Sequence, residues 1–135
     1  EYFGVTTDYL LGREDERAHG NEAFRRDNVN FKRRYDALPQ ELRTVVSSTF
    51  DSVYVLLSRC MNAQNAAELA LYRELFSELQ TGRGEIKSIL ADCGGDLAGA
   101  FPQIMEKQNT LKAKTASVLD SLLQADVAAL KDSNK

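Results

Sequence analysis

The chain has 135 residues, enough for one ordinary domain or one domain and a fragment of another. Hydrophobic residues make up 43% and charged residues 27%, with only eight Gly and two Pro, which excludes a disordered or collagen-like chain. A net charge of −3, from 17 basic and 20 acidic residues, excludes a chain dominated by a basic nucleic-acid-binding surface.

Residues 1–12 open with Tyr2-Phe3-Gly4-Val5-Thr6-Thr7-Asp8-Tyr9-Leu10-Leu11-Gly12. The pattern is the end of one helix, a turn at Gly4 and a short helix. Thr6 or Thr7 can cap that helix, Asp8 suits its positive first turn, and Gly12 suits its left-handed stop. Phe3, Val5, Tyr9, Leu10 and Leu11 are too many apolar residues for so short a unit, so they call for a core beyond this segment. Residues 13–20 are Arg-Glu-Asp-Glu-Arg-Ala-His-Gly, a solvated linker.

From Asn21, a plausible N-cap, Phe24, Phe31, Tyr35 and Leu38 recur at helical spacing within a sector of roughly 60°, with Asn28 on the same stripe. Pro39 ends this helix and suits the first turn of the next. Leu42, Val46, Phe50, Val53, Leu57 and Cys60 then recur in steps of four and three and predict a helix over about 39–61, against the β-branched runs Thr44-Val45-Val46 and Val53-Tyr54-Val55. Leu69, Tyr72, Phe76, Leu79, Ile86, Leu90 and Cys93 form the third stripe. Its phase is kept across Thr81-Gly82-Arg83-Gly84, which favours one continuous helix although each interior glycine costs about 1 kcal/mol.

Gly94-Gly95 stops that helix. Asp96 can cap a short segment to Phe101, and Pro102 can start a last helix over about 102–131. In it Ile104, Gln108, Leu111, Thr115, Val118, Leu122, Ala125 and Ala129 alternate in steps of four and three, the 3.5-residue period of coiled coils. Leu119, Leu123, Val127 and Leu130 widen the apolar face to about half the circumference. A helix of this length spans roughly 42 Å, against a diameter of roughly 37 Å for a compact globule of this size. The expectation is an all-α bundle of about four helices with a long C-terminal helix, dimeric through a seam of Ile104, Leu111, Val118 and Leu122, with Leu119, Leu123, Val127 and Leu130 beside it.

Chemistry-bearing patterns are sparse. No run approaches the ~18–20 apolar residues of a membrane span, and no secretory signal opens the chain. Cys60 and Cys93 lack metal or redox spacing and read as buried, reduced thiols of a cytoplasmic protein. The single His19 leaves no Ser-His-Asp set and no H-E-x-x-H, and the glycines carry no phosphate-binding fingerprint. Glu68, Glu74 and Glu78 lack the Glu-x-x-His partners of a bundle metal site. Arg25, Arg26, Lys32, Arg33 and Arg34 read as a solvated helix face, with DNA-backbone contact as the sharper alternative. Tyr54, Met61, Tyr72 and Phe76 read as core, with an effector pocket as the alternative. The expectation is a protein with no catalytic role, metal or cofactor.

Residues 2–12 resemble the closing stretch of the lambda-repressor-like (XRE/Cro type) helix-turn-helix domain of bacterial and phage regulators. Tyr2-Phe3 resembles the end of its fourth helix, and Thr7 to Leu11, followed by Gly12, its short fifth helix. The resemblance covers less than a tenth of the chain, and the upstream helices, including the recognition helix, have no counterpart here, so no base-reading residue carries over. It implies a parent regulator cut inside its first domain, consistent with a first residue, Glu1, that is not Met. Residues 1–12 are then the remnant of a DNA-binding domain, 13–20 a linker and 21–135 a helical dimerisation or regulatory domain holding two readers together. A small-molecule-sensing domain of such a regulator, or a protein-interaction module, is the alternative.

Overall fold

The computed structural model describes residues 22–133, and the stretch resembling the helix-turn-helix domain, its linker, Asn21 and the last two residues lie outside them. Four helices account for nearly all of it: α1 (Glu22–Asp36), α2 (Gln40–Ala63), α3 (Ala66–Asp92) and α4 (Leu97–Ser133). No strand occurs among the described residues. The chain divides into two compact units, one ending at Ser58 and one running from Arg59 to Lys135.

In the first unit α1 and α2 form an antiparallel pair. Phe31 packs on Phe50 with ring centroids 4.6 Å apart, and Tyr35 and Ser47 share a 3.0 Å hydrogen bond. Ser47 gives its own hydrogen to the Arg43 carbonyl, so Tyr35 is the donor. The connection is short because Pro39 forbids further helix at Leu38 and starts the next one, its carbonyl accepting from Leu42 and Arg43. Phe31, Tyr35 and Leu38 of the expected stripe are half-buried, whereas Phe24 is exposed.

The second unit holds the last turn of α2 with α3 and α4. Between α2 and α3 the chain turns at Gln64, whose φ of 52° lies in the left-handed region. Gln64 N–H bonds to the Met61 carbonyl and Asn65 N–H to that of Cys60, the paired bonds of a Schellman stop. Asn65 then caps α3, its side chain accepting from Glu68 N–H. At the other end Gly94 and Gly95 take φ of 61° and 88°. Asp96 accepts from Gly99 N–H at 3.0 Å and begins α4.

α3 and α4 pack along their length. Lys107 to Glu85 (3.8 Å), Lys114 to Glu78 (3.6 Å) and the Gly82–Leu111 contact all describe one antiparallel alignment. α3 runs unbroken through Thr81–Gly84, as its phase predicts. Gly82 falls in the seven-residue gap of the α3 stripe, between Leu79 and Ile86. A Cβ there would lie 2.7 Å from Leu111 Cδ1. The glycine is a notch that lets the α4 leucine seat directly against the α3 backbone.

The last helix differs from expectation at its start. Asp96–Phe101 is not a separate segment, because α4 begins at Leu97 and carries Pro102 in its second turn. The missing N–H of Pro102 costs one bond, to the Ala98 carbonyl, at an exposed helix end where water can replace it. At 37 residues the helix spans roughly 55 Å. The buried core, Cys60, Ile86, Leu111, Val118 and Leu122, belongs to this unit.

Candidate functional site

α4 carries two apolar stripes. Ile104, Gln108, Leu111, Thr115, Val118, Leu122 and Ala125 are all buried or half-buried. The chain's own atoms cover them, so the expected seam residues Ile104, Leu111, Val118 and Leu122 already have neighbours within this chain. The residues expected beside that seam are the exposed ones: Leu119 is 55% exposed, Leu123 62%, Val127 43% and Leu130 63%.

These four are not alone. Leu97, Phe101 and Met105 are exposed as well. At 100° per residue all seven fall within a sector of about 120°, centred about 100° from Leu111, Val118 and Leu122. Gln108, Asn109, Lys112 and Thr115 interrupt the sector in mid-helix and leave the longer apolar strip on the second half of α4, where Asp126 borders it on the hairpin side. The apolar half-circumference read from sequence therefore splits lengthwise: one side serves the hairpin and the other faces water.

Beside the hairpin lies a small polar cluster. Cys60 is 1% exposed, and its thiol is hydrogen-bonded to Glu68. Burial pushes the thiol up from its ordinary range, and the Glu68 carboxylate adds to the shift. Burial also raises the Tyr72 hydroxyl, with the charges of Glu68, Cys60 and Asp126 acting in the same direction. A raised thiol is a poor nucleophile, so this cluster offers packing rather than chemistry. Cys93 is half-buried in the turn after α3.

The remaining candidates are dispersed. Glu68 serves the α3 cap and Cys60, whereas Glu78 pairs with Lys114. No group of three or more His, Cys, Asp or Glu among the described residues is placed to hold a metal ion. On α1, Arg25 pairs with Glu22, Arg26 with Asp27 and Lys32 with Asp36, so most of the basic cluster is matched within its own helix. The grooves around Arg73 and Glu74, around Gly84 and Gln103, and around Asp92 and Ala100 are open, and none is lined by Tyr54, Met61, Tyr72 or Phe76. His19 lies outside the described residues, as do Tyr2, Phe3, Val5, Thr7, Asp8, Tyr9, Leu10, Leu11 and Gly12. No helix among the described residues is long and apolar enough to cross a membrane.

Sequence reasoning missed the notch at Gly82. The signal was present: a glycine at the one skipped position of an otherwise regular stripe. No protein-family model matches the chain, and neither a curated protein nor a solved structure matches it.

Proposed function

We propose that this chain is the self-association part of a lambda-repressor-like helix-turn-helix regulator, joining two DNA-reading domains into a pair. The observation that carries this reading is the exposed strip Leu119–Leu123–Val127–Leu130. Removing these aliphatic side chains from water is favourable by roughly 25 cal/mol per Å² covered. Contiguous apolar strips of this kind mark interaction sites. A second copy with the same strip is the simplest partner, and two-fold dimers are the commonest closed assembly.

The DNA half of the reading is supported by residues 2–12 alone. Operators with two-fold symmetry require paired readers, and a helical self-association domain supplies the pairing. The chain's own part is assembly. It has no base-reading, catalytic or cofactor-binding residue in this scheme.

Sedimentation equilibrium at micromolar concentration tests the assembly. The expected mass is twice the 15.1 kDa of one chain, and a 15.1 kDa species throughout overturns it. The residues encoded upstream of Glu1 test the DNA half: a helix-turn-helix pattern there supports it, and a different pattern removes it.

A further inference from the structure

The strip on α4 has a charged flank that fixes how a second copy can sit on it. Asp120 and Lys131 lie about 100° and 120° around the helix from Leu119, on the same side of the strip. Both are exposed, and neither has an ion-pair partner among the described residues. They stand eleven residues apart, one near each end of the strip, with opposite sign. The strip's other flank carries Val118 and Leu122, which are buried within the chain.

We infer that the second copy packs antiparallel to the first, about a two-fold axis crossing α4 between Ala125 and Asp126. This inference rests on the self-association reading and adds its geometry. An antiparallel pair brings like flanks of two helices together, so Asp120 of one copy comes level with Lys131 of the other, twice per dimer. The same axis lies one residue from the middle of the strip, so the strips of the two copies overlap over all but about two residues at each end. Parallel pairing sets each residue level with its own copy, Asp120 with Asp120 and Lys131 with Lys131. It also turns the charged flank toward the flank already buried in the hairpin. Asp126 lies on the hairpin flank, and the antiparallel axis brings it level with its own copy, one like-charge contact that the two Asp120–Lys131 pairs must outweigh. Complementary charge at the edge of an apolar seam sets partner orientation more than it sets affinity.

Charge reversal tests the orientation on the intact chain, with sedimentation as the readout and circular dichroism as the check on folding. Asp120→Lys and Lys131→Asp should each weaken dimerisation about tenfold, because each places two like-charge contacts at the seam. The double variant should return to within about threefold of the original, since the pairs re-form with signs exchanged. Dimerisation with no recovery in the double variant, or no effect of the single ones, overturns the antiparallel arrangement and leaves self-association standing. A monomeric original chain overturns the underlying reading instead. A spin label at Ala116→Cys in a Cys93→Ser background measures orientation without charge. From the helix rise, antiparallel copies place the two labels roughly 28 Å apart along the axis. Labels level with each other refute the inference.

Discussion

Gly82 and Gly84 stand two positions apart in the same helix, and they answer oppositely to the same substitution. A methyl group on Gly84 meets nothing within 4 Å. Gly84→Ala should therefore raise stability by about 1 kcal/mol, the helix-propensity gain alone. The same group on Gly82 meets buried Leu111, with Cδ1 at 2.7 Å and Cγ at 3.1 Å. Overpacking at such a site costs about 1–3 kcal/mol and outweighs the propensity gain, so Gly82→Ala should lower the urea midpoint. Cys60 gives a second test at this scale. The folded chain holds its thiol proton more tightly than the unfolded chain does. The resulting stabilisation is whole below the ordinary thiol value of 9.0 and is lost as pH climbs above it. Tyr72 adds a loss of the same sign above 10.0. Urea midpoints should be level around neutral pH and fall on the alkaline side. A thiol reagent at neutral pH should label Cys93 first and reach Cys60 only on unfolding.

Among the elements, each helix was legible from its stripe, and each boundary was legible only where a residue announced it. Pro39 and Gly94-Gly95 are such residues, and the structure turns at both. The turn between α2 and α3 has neither Gly nor Pro, because Gln64 takes the left-handed position itself. Composition cannot reveal a stop that its residue adopts at a cost. That cost predicts the outcome of Gln64→Gly, which should stabilise the chain by about 1 kcal/mol in thermal unfolding, since glycine occupies this region freely. Asn65→Ala should do the reverse by about 1 kcal/mol, because it strips the α3 cap and frees Glu68 from its amide partner. Pro102 misled in the other direction. It announces a start, but the Asp96 cap is the stronger signal, and the helix accommodates proline in its second turn.

At the scale of the molecule, the sequence marks which face of α4 is apolar but not which neighbour takes which side. The coiled-coil repeat Ile104–Leu111–Val118–Leu122 has the spacing of an intermolecular seam, and within a hairpin the same spacing serves α3 equally well. Only the folded chain separates the two stripes. Adjacent leucines then give contrasting variants. Leu122, 7% exposed, is part of the hairpin core, and Leu122→Asp should unfold the chain by burying an unpaired charge. Leu123, 62% exposed, should tolerate Leu123→Glu in helicity and thermal midpoint while the sedimented mass drops to that of one chain. Circular dichroism and sedimentation on the two variants read folding and assembly apart.

The notch at Gly82 has one more consequence. A pair of helices joined by a four-and-three repeat is degenerate: sliding one past the other by seven residues restores the pattern. Such a slip would take Leu111 off the glycine and set it against Leu75 or Ile89, where side chains already fill the space. One missing Cβ thereby gives the hairpin a single register out of several that its hydrophobic pattern allows. The exposed strip inherits that uniqueness, because its place along α3 is set by the same peg and hole.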